Sequence, residues 1–222
     1  MPAASPAAPR ALAYGVAFLG GLALMVLEIV GARYLARDFG GSFYVWISQI
    51  GMILIALGLG YAAGGACADR AKGPWFLAFL LAPAGIFTIA IPSFSAGVID
   101  WIVLRHPADR EIPQIWQKLD PAMGSALFFL LPCTVLGMLS PTMVRASTGS
   151  LARVGRASGR VSAAGSAGSI AGVLVSGYLL MDYLPLDAIV RGTGVVMMVL
   201  GAACLWLDRL VRAPGQPTGG SA

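Results

Sequence analysis

Charge is scarce in this chain of 222 residues, of which Asp, Glu, Lys and Arg together make up 11%. Soluble domains are closer to a quarter charged, so the composition argues against a soluble fold. A nucleic-acid surface would need a basic face on a soluble domain, and the sequence offers none. The net charge of +5 therefore requires another explanation.

Metal-binding and redox-active residues are also sparse. The only histidine is His106, and Cys67, Cys133 and Cys204 follow no metal-binding or redox spacing. Buried free thiols that pack as small apolar groups are the simplest interpretation of the cysteines. A haem or chlorophyll held in a membrane most simply uses histidine, and His106 falls in a predicted loop. We therefore expect no cofactor, no metal and no catalytic constellation, and we predict that the protein is not an enzyme.

Hydrophobic sequence takes the place of charge, with 58% apolar residues and a mean hydropathy of +0.80. A helix needs about 20 apolar residues to cross a hydrocarbon core of about 30 Å. Six windows approach or reach that length: Ala11–Val30, Trp46–Ala66, Trp75–Ile91, Ala122–Met138, Val161–Leu180 and Ile189–Leu207. The sequence thus predicts an all-α, multi-pass membrane protein with about six transmembrane helices.

The flanking segments define the predicted organisation. Both ends of the chain are rich in Pro, Gly, Ser and Ala, which favours disorder. We predict disordered cytoplasmic termini at residues 1–10 and 209–222 around a transmembrane domain at 11–208. The connection at 92–120 contains tryptophan among aliphatic residues and is predicted to lie outside, at the membrane interface, as an amphipathic segment or as a lid over a pocket.

Basic residues near the helix ends predict the orientation. If both termini are inside, nine of the 15 basic residues are cytoplasmic: Arg10, Arg70, Lys72, Arg145, Arg153, Arg156, Arg160, Arg209 and Arg212. Only Asp69 and Asp208 are acidic on that side. We predict an N-in/C-in protein of a bacterial-type inner membrane. The cluster of Arg145, Arg153, Arg156 and Arg160 is predicted to set the topology and to contact anionic lipid, with docking of an acidic protein as the alternative.

Glu28 lies inside the first apolar window, where an ionisable side chain costs a few kcal/mol or more. One interpretation is a structural ion pair at the outer end of the bundle, with Arg33 or with Arg191 as the partner. The other is a cation or proton site that faces an internal cavity. Both stay open from the sequence.

Small residues recur at every fourth position in the second and fifth windows. In lipid, helix association depends on close backbone approach over such residues. The two ladders therefore predict tightly packed faces, within the bundle or against a partner: Ala56, Gly60, Gly64 and Ala68 in one helix, and Ala164, Gly168, Gly172 and Ser176 in the other.

Residues 64–73 resemble the loop motif of the major facilitator superfamily, with Gly65, Asp69 and Arg70 at matching spacing. In facilitator-type carriers a similar motif latches the inside-closed conformation. The resemblance therefore implies a candidate cytoplasmic gate. The alternative is that Asp69 and Arg70 only cap the end of the second helix and interact with the cytoplasmic start of a neighbouring helix.

A wider stretch, about residues 14–205, resembles the membrane module of membrane-bound spermidine-synthase-like proteins, itself similar to half of a facilitator bundle. The matching segments are Leu24–Arg33, Phe39–Trp46, Gly58–Tyr61 and Gly155–Gly172. In that family a soluble aminopropyltransferase-like domain usually follows. Only sixteen residues follow Trp206 here, so we expect no synthase activity. The resemblance implies a half-facilitator-like bundle.

Two functions follow as expectations. The favoured one is an accessory or scaffold subunit of a larger membrane complex, because the helix interiors hold few polar groups beyond Glu28. The alternative is a homodimeric half-size carrier or binding module for a small solute, with the two ladders meeting in a second copy. A cationic amine is suggested only by the family name and an acid-containing outer face. Expected partners are the bilayer and other membrane subunits or a second copy, with no nucleic acid.

Overall fold

Six long helices make up the fold of the computed structural model, which describes residues 7–71, 73–106, 112–148 and 154–212. Each helix is long and apolar enough to cross a membrane, and no strand occurs within those four ranges. The predicted all-α fold with six candidate membrane spans is confirmed. The helices are α1 Ala7–Phe39, α2 Phe43–Ala71, α3 Phe76–Val103, α4 Gln114–Ser147, α5 Val154–Tyr183 and α6 Leu186–Arg212.

The helices extend beyond the apolar windows that predicted them. α1 has 33 residues, about 50 Å of helix, so its ends reach past a hydrocarbon core of about 30 Å. The predicted disordered termini were too long, because α1 already begins at Ala7 and α6 continues to Arg212. The remaining terminal residues, 1–6 and 213–222, lie outside the described ranges.

The predicted interfacial segment at 92–120 is also largely helical. α3 runs on to Val103 and α4 begins at Gln114, so most of the segment continues the two spans. Residues 107–111, between them, lie outside the described ranges. Apolar periodicity missed these extensions because polar residues outside the hydrocarbon core remain compatible with a continuing helix.

α1 lies at the centre of the bundle and packs against α2, α4, α5 and α6. The apolar spans of α1 and α4 are the most buried, at 56% and 61% of their residues, against 22% in α2 and 17% in α5. Leu27, Val30 and Leu35 of α1 are fully buried. The other strong helix pairs are α2 with α4 and α3 with α6. α2 and α5 therefore carry most of the outward-facing surface.

Glycines bring the helix backbones together. A Cβ atom added at Gly168 of α5 would overlap the backbone carbonyl of Phe18 in α1, and one at Gly64 of α2 would lie 2.7 Å from the Cα of Met138 in α4. Gly60 likewise faces the α4 backbone, and Gly172 faces α1. Both small-residue ladders thus lie against helices of the same chain. A second copy would have to bind another surface.

A third glycine contact joins α3 to α6 and was not predicted. A Cβ at Gly85 would lie 2.7 Å from the carbonyl oxygen of Gly194, and one at Gly194 would lie 2.6 Å from that of Gly85. No small residue lies four positions before or after Gly85 or Gly194, so the pattern that predicts the two ladders does not predict this contact. The contact is visible only once the two helices are paired.

A π-helical turn at Ala126–Leu130 interrupts α4 shortly before Pro132. Proline has no N–H to donate to the preceding turn, and a wider turn accommodates the missing bond. On a regular helix, residues eight apart point about 80° apart. The extra residue of the π turn rotates Ser125 and Cys133 toward one face, and both are fully buried.

We predict that Gly168→Leu destabilises the fold, because its side chain would collide with the backbone of α1 at Phe18. Overpacking of this kind costs about 1–3 kcal/mol. The thermal midpoint of the detergent-extracted protein should therefore fall clearly. Gly192→Leu on α6 is the matched control, because a Cβ at Gly192 has open space around it. Equal midpoints for the two variants would contradict the assignment.

Candidate functional site

Glu28 lies in the body of α1, about 8 Å from the midpoint of the helix, and is half-buried. No salt bridge joins it to any residue in the described ranges. Neither Arg33 nor Arg191 forms the ion pair with Glu28 in this structure, and a role of Glu28 and Arg33 at an ion or solute site stays a prediction. Arg33 lies five residues on, about 140° around the helix, and both Arg33 and Arg191 are exposed.

Buried polar groups near Glu28 are satisfied by one another. The Gln49 amide of α2 donates to the carbonyl of Leu27 at 3.4 Å and accepts from the Ser125 hydroxyl of α4 at 2.7 Å. Both side chains are fully buried. A Cβ at Gly31 would meet the Gln49 amide, so that glycine leaves the space for it. This hydrogen-bonded group joins α1, α2 and α4.

A cavity of about 190 Å³ lies between α1, α2, α4 and α5. Ala17, Gly21 and Leu24 line it from α1, and Glu28 follows on the same face of that helix, one turn beyond Leu24. Serine hydroxyls and one tyrosine supply its polar lining: Tyr61, Ser140, Ser162, Ser166 and Ser169. Since Tyr61, Ser162 and Ser166 are exposed, the cavity opens between α2 and α5. We call this opening the α2–α5 cleft.

A second set of small residues on α2 and α5, the two helices on either side of the α2–α5 cleft, faces outward. It comprises Gly58, Ala62 and Ala66 of α2, and Gly155, Gly159, Ala163 and Ala167 of α5, all exposed. A Cβ at Gly58, Gly155 or Gly159 would have open space around it. These residues repeat at four-residue spacing just as the buried ladders do. The four-residue spacing of small residues is visible in the sequence for both stripes, but it does not show which stripe packs against a neighbouring helix of the same chain.

The candidate gate residues lie at the C-terminal end of α2. Asp69 forms a salt bridge of 2.6 Å with Arg145 in the last turn of α4, and both side chains are exposed. Arg70 donates to the carbonyl of Ala66 in its own helix at 3.4 Å, and Gly65 has open space around it. The Asp69–Arg145 pair joins the ends of α2 and α4. A gating role for Gly65, Asp69 and Arg70 stays a prediction.

A compact ionic cluster, not predicted from the sequence, ties the end of α3 to the start of α4. The Asp120 carboxylate, whose side chain is 6% exposed, pairs with Arg105 and lies 2.8 Å from Nε2 of His106. The Arg105 guanidinium stacks 4.4 Å from the ring centre of Trp116. Asp120 immediately precedes Pro121, and nothing in that local pattern indicates a partner fifteen residues earlier. The cluster fixes the α3–α4 connection.

Nothing in the described ranges brings three or more His, Cys, Asp or Glu side chains into a group that could hold a metal ion. Cys133 and Cys204 are buried free thiols, and Cys67 is partly exposed. Compared with protein-family models, with curated proteins and with solved structures, the chain finds no match in any of the three.

We predict that Asp120→Asn lowers the stability of the protein by about 1–3 kcal/mol, because it removes charge-assisted hydrogen bonds to Arg105 and His106. Thermal unfolding in detergent measures the effect. Asp187→Asn is the control, since Asp187 and its partner Arg37 are about half exposed and such pairs contribute at most about 1 kcal/mol. A larger loss in the control than in Asp120→Asn would refute the structural role of the cluster.

Proposed function

We propose that this chain is a non-catalytic subunit of a larger membrane complex, and that the α2–α5 cleft and its border bind a different membrane-spanning protein. The observation that carries the proposal is the exposure of polar hydroxyls on an otherwise apolar surface. Tyr61, Ser162 and Ser166 are exposed within helices long enough to span a membrane. Lipid tails offer no hydrogen bonds, so polar groups at that depth favour contact with protein or enclosed water.

The border of the cleft supports the same proposal. Gly58 on α2 and Gly159 on α5 leave open grooves on the two helices with the least buried spans. Exposed small residues at four-residue spacing allow another helix to approach closely, which is how helices associate in lipid. The buried ladders contribute nothing to this surface, because α1 and α4 already cover them. The partner surface is therefore the outward stripe, not the ladder.

Charge at one end of the surface indicates the kind of partner. Arg156 and Arg160 are exposed at the N-terminal end of α5, and no residue in the described ranges forms a salt bridge with them. Arg156 lies in the first turn of α5, where a positive side chain is unfavourable with the helix dipole. A partner with acidic side chains at that level would offset both the dipole and the mutual repulsion of the arginines.

A second copy of the chain fits this surface poorly. Two copies with the same membrane orientation would pair through the same patch on each, related by a two-fold axis. That arrangement brings Arg156 and Arg160 of both copies to one interface, where like charges repel. The homodimeric carrier is therefore the weaker candidate. The predicted resemblance to the membrane module of spermidine-synthase-like proteins and the predicted N-in/C-in orientation in an inner membrane are compatible with the subunit role.

We expect Gly159→Leu and Gly58→Leu to release the partner, because a leucine there fills the groove while leaving the chain's own packing intact. A loss of about tenfold in affinity corresponds to about 1.4 kcal/mol. The readout is the mass and composition of the complex after gentle detergent extraction. Gly192→Leu on α6, which also has open space, should leave the complex unchanged.

We also expect the double change Arg156→Glu with Arg160→Glu to weaken the complex, since it would repel an acidic partner. Arg209→Glu on α6 is the matched control, because Arg209 is likewise exposed near a helix end. Retention of the same foreign subunit by Gly159→Leu, Gly58→Leu and the double arginine variant would overturn the proposed interface.

A further inference from the structure

We propose that the cavity between α1, α2, α4 and α5 is a binding site for a small, uncharged solute with hydroxyl or amide groups. The inference goes beyond the subunit role and does not require it, because all four lining helices belong to one chain. A partner bound on the α2–α5 cleft would narrow the opening of the cavity without adding a group to the lining that belongs to this chain.

Most of the hydroxyl groups that line the cavity make no hydrogen bond within the chain. The hydroxyls of Tyr61, Ser140, Ser162 and Ser166 form no hydrogen bond with another residue in the described ranges. Ser169 reaches only the carbonyl of Gly21, at 3.4 Å. Each hydroxyl can donate one bond and accept two. Five hydroxyls around one cavity thus form a lining that can both donate to a solute and accept from it.

The lining of the cavity carries no charged side chain. No Asp, Glu, His, Lys or Arg is among the residues that enclose the cavity. Burying an unpaired ion is costly in such surroundings, whereas a neutral polar group needs only hydrogen bonds. Glu28 does not line the cavity and lies one helical turn past Leu24. The lining therefore disfavours the cationic amine that the family name suggested.

The size and shape of the cavity limit the kind of solute that can bind there. A volume of about 190 Å³ is small for a ligand site, so only a compact solute fits. Apolar walls are supplied by Leu24, Leu57, Leu136 and Val161. A compact polyol or amide has carbon atoms to place against these walls and polar atoms to place against the hydroxyls. This combination is typical of small-molecule sites, in which few polar groups fix the orientation of the ligand.

The test places a single reactive thiol in the cavity and compares neutral with charged reagents. In the Cys67→Ala background, Ser166→Cys is treated with 2-hydroxyethyl methanethiosulfonate, which is neutral, and with its trimethylammonioethyl analogue, which is cationic. Each rate is divided by the rate for free 2-mercaptoethanol, so that intrinsic reactivity cancels. Ser93→Cys, exposed on α3 near the middle of its span, is the matched control. The chain is used as extracted, with any partner that it retains.

We expect the neutral reagent to modify Ser166→Cys faster than Ser93→Cys, and the cationic reagent to be at least about tenfold slower at Ser166→Cys. Glycerol is the probe ligand, and at a concentration equal to its Kd it should halve the rate at Ser166→Cys but not at Ser93→Cys. Ser162→Cys serves as the second variant if Ser166→Cys lowers the thermal midpoint.

Three results would overturn the proposal: equal rates at the cavity and control positions, equal normalised rates for the two reagents, or no protection by glycerol. None of them bears on whether a partner subunit binds. Conversely, loss of the partner interface in the Gly159→Leu variant would leave the charge selectivity at Ser166→Cys unchanged. Both proposals use the exposed hydroxyls of Tyr61, Ser162 and Ser166, but thiol modification tests the cavity and the composition of the complex tests the subunit role.

Discussion

Contact between helix backbones across glycine is the interaction on which the rest of this bundle depends. Gly168 lies against the Phe18 carbonyl, Gly64 against Met138, and Gly85 against Gly194. These three contacts hold α5 on α1, α2 on α4 and α3 on α6. In lipid there is no hydrophobic force between helices, so close van der Waals contact has to supply the association. Each contact disappears if a single side chain intervenes.

This packing decides which polar groups are satisfied and which are left over. Where α1, α2 and α4 meet, Gln49 and Ser125 satisfy each other at 2.7 Å. Where α1, α2, α4 and α5 meet, the helices border a cavity in which the hydroxyls of Tyr61, Ser140, Ser162 and Ser166 have no hydrogen-bond partner in the described ranges. The same tight pairs that bury the two ladders turn the second small-residue stripe outward. Cavity and outward stripe thus have one origin, the way α5 lies on α1.

Much of this arrangement follows from the sequence, because hydropathy and helical period are local properties. Six spans and two close-packed faces could be predicted from residues such as Gly60 and Gly168 without knowledge of their partners. The partners themselves could not, since pairing joins residues far apart in the chain. One of the two interpretations of Glu28 paired it with Arg33 or Arg191, but Arg33 lies about 140° around α1 from Glu28 and both arginines are exposed. The Arg105–Asp120 pair and the Gly85–Gly194 contact were missed for the same reason.

The most direct test of the account is a photo-cross-linker placed at Ala163, in the middle of the outward stripe of α5, and activated in the protein's own membrane. Val199, exposed on α6, is the reference position. The account predicts that Ala163 forms a defined product containing a different membrane protein, whereas Val199 does not. A product of twice the 22.9 kDa chain mass, or no protein product at Ala163, would contradict it.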